Sequence, residues 1–323
     1  MRIHLIAIGG SVMHNLAIAL HKMGYNVTGS DDEIFEPAYS RLKKYNLLPS
    51  YAGWNDNIIT PDIDVVIVGM HARDDNPELK KAKQLNISIL SFPEFIYNHS
   101  KEKCRVVIGG SHGKTTVTSM IMHVLNKVNK FSFDYLVGAI IDEFETMVKL
   151  SNDAFSIIIE GDEYLASPTD RRPKFILYKA HIAAITGIAW DHINVFPTFD
   201  EYLNQFQLFI DSIQTNGILL YNNSDEKCRK IANNARSDIK LIPYEIHPYR
   251  IDNEKTFLIT PYGEIPLLIF GEHNMQNISC AKETCSILGI TDSEFYQHIQ
   301  SFKGAAKRLE IIRKNDNAII FRD

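Results

Sequence analysis

The residues best suited to chemistry in this chain lie in one run, Gly110-Ser111-His112-Gly113-Lys114-Thr115-Thr116. Glycines let backbone N–H groups close around phosphate oxygens, and a lysine and a hydroxyl follow at GK[ST] spacing. An apolar strand at 105–108 leads in and a helical pattern at 117–128 leads out. The helix N-terminus then adds positive partial charge beside the loop. Lys114 is placed to reach the β- and γ-phosphates and Thr115 to hold Mg²⁺. The usual pattern is GxxxxGK[ST]; Ile108 occupies its first glycine position, so the match is to a shorter GxxGKTT form. The loop implies a nucleoside triphosphate and magnesium. A plain glycine turn with a surface lysine leaves the flanking strand and helix unexplained.

Two further segments carry candidate ligands. Residues 156–159 are apolar and end in Glu160-Gly161-Asp162-Glu163. Carboxylates at the C-terminal end of a parallel strand sit where α/β sheets bind ligands, and Mg²⁺ takes hard oxygen donors. Glu160, the first acid after the strand, is the best-placed candidate; Asp162 and Glu163 are the alternatives. Ile182–Ile185 leads toward Trp190-Asp191-His192. A histidine just past a strand end suits a second metal or a substrate phosphate, although a lone histidine is more often structural.

These residues need a parallel sheet to hold them, and the pattern supplies one. Strand signals at 3–8, Asn26–Ser30, Val65–Val68 and 87–90 alternate with helical ones at 12–23 and from Asn76-Pro77-Glu78 onward. Such alternation implies βαβ units. A charged stretch at 100–103 marks a boundary, and the phosphate-loop strand opens a second unit that continues through strands at 156–159, Ile182–Ile185 and 218–221. Residues 256–270 read as an antiparallel pair around Tyr262-Gly263, and helices follow at 274–288 and 292–301. The expected architecture is α/β: a Rossmann-like parallel-sheet domain at 1–100, then a P-loop NTPase-like domain at 101–308. Residues 309–323 resemble two strands around Asn315-Asp316-Asn317, with no helix after them to cover the sheet. They read as the start of a further, truncated domain.

Composition sets the outer limits. A chain of 323 residues with 45% hydrophobic and 23% charged residues can bury two ordinary cores. A net charge of -5 gives no overall basic field for nucleic acid. Cys104, Cys228, Cys280 and Cys285 lack CxxC spacing, which fits a reducing compartment better than a disulfide or zinc framework. There is no secretory leader pattern and no apolar run of membrane-spanning length. The expectation is a cytoplasmic enzyme with no nucleic-acid or membrane partner.

Taken together, the motifs resemble the Mur ligase family of peptidoglycan biosynthesis. GSHGKTT at 110–116 is similar to that family's GTHGKTT loop, EGDEY at 160–164 to its EADE motif with Gly161 in place of alanine, and Asp191-His192 to its DH motif. GEHNMQN at 271–277 resembles GxHNxxN, and AKRLE at 306–310 resembles RRLE. The resemblance implies ATP and Mg²⁺, with Lys114, Glu160 and His192 in catalytic roles. Gly110, Ser111, His112, Gly113, Lys114, Thr115 and Thr116 would cradle the triphosphate. Asn274 and Asn277 would hold adenine, and Arg308 a phosphate. Thr115 and Glu160 would serve one metal and His192 a second. Some family members bridge metals with a carbamylated lysine; no lysine lies between Asp191 and Glu226, so that device is not expected here.

The first hundred residues resemble the family's UDP-muramate domain. Gly9, Gly10 and Ser11 form a loop short of a full GxGxxG, which argues against a redox dinucleotide. Asp31 ends the second strand where a ribose-binding acid belongs; Asp31-Asp32 also fit simple turn acids. His71 and Asn76 lie in a stretch, HARDDNPE, similar to one lining the UDP-muramate site, while Asn76 and Glu78 also suit a helix cap. Within the family, Asp170-Arg171-Arg172-Pro173-Lys174-Phe175 resembles the branch that attaches the recycled tripeptide L-Ala-γ-D-Glu-meso-diaminopimelate. The branch that adds L-alanine is the alternative, and a non-catalytic nucleotide and UDP-sugar binding module is a third reading. The truncated chain is expected to bind UDP-N-acetylmuramate and to ligate poorly alone.

Overall fold

The computed structural model describes residues 1–70, 72–167, 170–304, 310–315 and 318–322. The first hundred residues run β1 (Arg2–Ile6), α1 (Ser11–Lys22), β2 (Asn26–Ser30), α2 (Ala38–Lys44), β3 (Val65–Val68), α3 (Pro77–Gln84), β4 (Ser88–Ser91) and α4 (Phe92–His99). The strands form a sheet of order β2-β1-β3-β4, parallel throughout. β1 has β2 on one side and β3 on the other, so the loop after β1 opens at the point where the order reverses. That is where open α/β sheets bind ligands.

The next strand, β5 (Cys104–Gly109), is followed by α5 (Lys114–Val128), β6 (Phe133–Leu136), β7 (Val148–Lys149), β8 (Ser156–Glu160), α6 (Lys174–Leu177) and β9 (Ile182–Ile185). After them come α7 (Phe199–Asp211), β10 (Ile218–Asn222), α8 (Glu226–Ala232) and β11 (Lys240–Tyr244). Their sheet has the order β11-β10-β9-β5-β8-β6-β7, and only the β6–β7 pair is antiparallel. Val106, Val107 and Ile108 are fully buried at its centre, as expected of a strand covered on both faces. The strand ends that carry Gly109, Glu160 and Ile185 are neighbours in register, which brings the phosphate loop, the acid segment and the Asp-His segment to one edge.

An antiparallel sheet, β12 (Tyr249–Asp252), β13 (Lys255–Thr260) and β14 (Gly263–Leu267), has one strand more than the sequence pattern predicts. β12 is half exposed and mixes charged with apolar residues, so it gives no clear alternation. Helices α9 (Glu272–Ile287) and α10 (Asp292–Ile299) follow, and β15 (Glu310–Asn315) pairs with β16 (Ala318–Arg322). In the charged stretch at 100–103, Lys101 and Glu102 are exposed. Lys103 is buried, and its ammonium donates to Asp134 and to the Ser151 carbonyl.

Local sequence explains the elements that matter most. α7 starts at Thr198, whose hydroxyl accepts from the Glu201 N–H, and buries Tyr202, Phe206, Phe209 and Ile210 at helical spacing. Phe175 stacks on Phe209 with ring centroids 4.5 Å apart, beneath the phosphate loop. One apolar cluster runs from Ile3 of the first sheet and Leu16 and Phe92 of its helices into Val107 of the second sheet and Phe175 and Phe209 of the helices beside it. Among the described residues no helix is long and apolar enough to cross a membrane.

Candidate active site

The phosphate loop is built by two glycines in backbone conformations that other residues rarely adopt, Gly110 at φ 140° and Gly113 at φ 80°. A side chain at Gly110 would also collide with Thr186, its Cβ lying 2.1 Å from Thr186 Oγ1. The loop is tied to the end of β9: Ser111 N–H donates to the Gly187 carbonyl at 2.9 Å, and the Thr186 hydroxyl donates to the His112 carbonyl. The loop is therefore preformed, with its shape set by a neighbouring strand.

A directed chain of hydrogen bonds organises its cation. The Ala189 N–H donates to Ser111 Oγ at 2.8 Å, and Ser111 Oγ lies 2.9 Å from the Tyr202 hydroxyl. Tyr202 donates to Glu163 Oε1 at 2.8 Å, and Lys114 donates to Glu163 Oε2 at 2.8 Å and to the Gly110 carbonyl. Burial, and then the Glu163 charge, push the Tyr202 phenol far above its ordinary value, so it acts as a neutral donor. Glu163 is fully buried yet holds two donors, which is the condition for keeping a carboxylate there.

The first acid of the segment has a different partner. Glu160 Oε1 accepts from the Thr115 hydroxyl at 2.8 Å and Oε2 from the Gly138 N–H at 2.7 Å. Asp162 turns to Lys174 instead. Burial would raise its carboxyl, but the Lys174 ammonium outweighs this and holds it below the usual range. The three acids thus divide: Glu160 on the hydroxyl, Glu163 on the lysine, Asp162 in an ion pair of its own.

His192 sits at φ 54° with its Nε2 3.7 Å from Glu163 Oε1 and 4.0 Å from Asp191 Oδ2. The ligand atoms of Glu163, Asp191 and His192 lie within 4.8 Å of one another, the one such group among the described residues. The Tyr164 ring packs edge-on against His192 at 5.0 Å. The residues expected to hold metal therefore fall into two places. Thr115 and Glu160 share one, and His192 stands in the other beside Glu163 and Asp191.

Two cavities flank this centre. One of about 450 Å³ is lined by His112, Gly113 and Thr116 of the loop and by Asn222, Asn274 and Asn277, among others. α9 puts both asparagines there. Asn274 Nδ2 donates to the Phe270 carbonyl at 2.7 Å, which fixes its amide. Arg308 lies outside the described residues.

The other cavity, about 630 Å³, opens at the reversal point of the first sheet, where Gly9, Gly10, Ser11 and Asp31 line it with Arg41 and Gly138. Asp31 Oδ2 accepts from the Gly9 N–H at 2.7 Å. Burial, and then its neighbour Asp32, raise the Asp31 carboxyl from 3.8 to about 6. Burial also lowers the His14 imidazole, opposed by the Gly10 carbonyl. Asn76 takes the other role open to it: its side chain accepts from the Leu79 N–H at 3.1 Å and caps α3, and it is not among the cavity's lining residues. His71 lies outside the described residues.

Tyr202, Arg41 and the segment at 137–147 carry no motif that marks them in the sequence. Tyr202 reads as one more apolar position of an amphipathic helix, and only its hydroxyl contacts reveal more. Arg41 lies on a short basic helix with no motif.

Comparison with known proteins follows the same outline. Residues 2–103 match a family model described as "Mur ligase family, catalytic domain", and residues 108–285 match "Mur ligase middle domain". A UDP-N-acetylmuramate–L-alanyl-γ-D-glutamyl-meso-2,6-diaminoheptandioate ligase of Haemophilus influenzae is 27% identical over 99% of this chain and 72% of that protein. A UDP-N-acetylmuramate–L-alanine ligase of a Sulfurihydrogenibium species is 30% identical over 99% of this chain and 69% of its own length. Among solved structures, the tripeptide ligase from Neisseria meningitides superposes with a TM-score of 0.82 at 20% identity, covering 94% of this chain and 98% of that one. The UDP-N-acetylmuramate-alanine ligase from Thermotoga maritima gives 0.75 at 22% identity, covering 100% and 74%. At these identities the structures show a shared fold.

Proposed function

This chain belongs to the Mur ligase family, whose members are ATP-dependent C–N ligases, and we propose that it joins UDP-N-acetylmuramate to the tripeptide L-Ala-γ-D-Glu-meso-diaminopimelate through an acyl phosphate. The observation that carries the reading is the convergence of Lys114, Thr115, Glu160 and His192 on one sheet edge between two cavities. Residues 1–100 take the sugar nucleotide in this reading, and residues 101–308 take ATP.

The muramate carboxylate oxygen attacks the γ-phosphorus, the bond to the ADP oxygen breaks, and a mixed anhydride forms. The peptide amine then attacks the carbonyl carbon, loses a proton, and phosphate departs with the activating oxygen. Little covalent work falls on the protein; positioning and charge neutralisation dominate. Lys114 exchanges Glu163 for the transferring phosphoryl group. The preformed loop supplies N–H donors, and Asn274 and Asn277 hold the base. Magnesium fits the paired hard oxygens of Thr115 and Glu160, where it would neutralise phosphate charge.

The tripeptide rests on the segment Asp170–Phe175 and on the Haemophilus relative. Arg172 in it donates to Asp170 and to Glu94 of α4, so the segment abuts the last helix of the first hundred residues. The alternative amine, L-alanine, is favoured by the 30% identical relative. Phosphate release by the intact protein with ATP and UDP-N-acetylmuramate decides between them. The expected result is stimulation of at least about tenfold by tripeptide over L-alanine, the scale of one or two lost recognition contacts. Preference for L-alanine would overturn the tripeptide assignment and leave the ligase reading standing.

A further inference from the structure

The segment at 137–147, between β6 and β7, touches both the Thr115–Glu160 pair and the cavity at the reversal point of the first sheet. At one end the Gly138 N–H donates to Glu160 at 2.7 Å, the acid that pairs with Thr115. It also walls the sugar-nucleotide cavity with Gly138, Ala139, Ile140 and Met147. Glu143 reaches back to His123 on α5, the phosphate-loop helix, at 2.9 Å. At the other end the segment is pinned to α1 and α2. The Glu145 carboxylate accepts from Lys22 at 2.6 Å, from Lys44 at 3.4 Å and from the Tyr45 hydroxyl, while its carbonyl accepts from Arg41 at 2.6 Å. The Met147 N–H donates to the buried Asn15 at 3.0 Å.

We propose that this segment couples the two ligand sites, and that Glu145 is a positioning residue for Glu160 that acts through Gly138. The inference rests on the functional reading above. A sugar nucleotide filling the first cavity presses on residues 138–140, and the anchor at 145–147 stops the segment from yielding outward. The pressure is then taken up at Gly138, whose N–H orients Glu160. There is little slack for any other response, because a Cβ on Gly138 would lie 2.8 Å from Glu160 Oε1. A single exposed ion pair would be too weak to anchor a segment. Here one residue gathers four donors, and a buried amide bond stands two residues away.

Coupling of this kind is reciprocal and measurable as a ratio of affinities. Titration calorimetry on this chain, with Mg·ATP added in the absence and presence of saturating UDP-N-acetylmuramate, reads it directly. The sugar nucleotide is expected to tighten Mg·ATP at least about fivefold, the lower end for coupled sites. In Glu145→Ala the factor should fall below about twofold while each ligand alone keeps its affinity within about threefold. Lys22→Ala removes one of the four donors and should lose only part of the coupling, with no further loss when it is added to Glu145→Ala. Unchanged coupling in Glu145→Ala, or independent binding in the parent chain, would overturn the proposal. Absence of UDP-N-acetylmuramate binding would instead sink the functional reading, and the coupling with it.

Discussion

Asp31 joins a backbone contact to an electrostatic tension. Its carboxylate is buried, accepts the Gly9 N–H and lies beside Asp32, and burial followed by that neighbour raises it from 3.8 to about 6. A carboxyl raised on folding holds its proton more tightly in the native state than in the unfolded chain. Its contribution is therefore full below about pH 4 and is lost as the pH rises through about 6. Asp31→Asn keeps an acceptor for Gly9 without the charge. It should stabilise the chain at pH 7.5 by about 1–2 kcal/mol, after discounting for partial solvent screening, with the gain closing below about pH 4. Urea unfolding at the two pH values checks this, and equal stability at pH 7.5 would contradict it. The same substitution should favour an anionic diphosphate in that cavity, which Asp32, Glu33 and Glu36 line together with Arg41.

At the scale of elements, α7 shows what sequence pattern could and could not reveal. Its apolar spacing marks an amphipathic helix, and Tyr202 falls on the buried face with Phe206 and Phe209. Nothing in that spacing says that the hydroxyl bridges Ser111 and Glu163. Tyr202→Phe should preserve the ring packing against Phe196 and Phe206 while leaving Glu163 with Lys114 as its remaining strong donor. The carboxylate then competes harder for the ammonium that the triphosphate needs. Mg·ATP affinity should drop about 5–10-fold, on the order of one ordinary hydrogen bond, and the melting temperature should fall by a few degrees because a buried carboxylate loses a donor. Unchanged affinity would remove Tyr202 from the site. By contrast, the phosphate loop was legible because its glycines, lysine and flanking elements are local in sequence. The division of Glu160, Asp162 and Glu163 among Thr115, Lys174 and Lys114 was not, because it depends on which neighbours the strand order supplies.

For the whole molecule, two parallel sheets set their ligand-binding edges beside a common set of loops, and an apolar cluster runs from one into the other. Alternating strand and helix signals predict the first sheet and four of the seven strands of the second, missing β6, β7 and β11, and the motifs predict the family to which the chain belongs. What they leave out is how the sheets communicate, because the segment at 137–147 has neither motif nor periodicity and acts through long-range contacts. In the proposed reaction the sugar-nucleotide carboxylate is activated as an acyl phosphate. The direct measurement uses UDP-N-acetylmuramate with ¹⁸O in the muramate carboxylate, turned over by the intact protein with ATP and tripeptide, followed by mass analysis of the inorganic phosphate. Transfer of one labelled oxygen to phosphate per amide bond formed is the predicted result; phosphate free of label would contradict it.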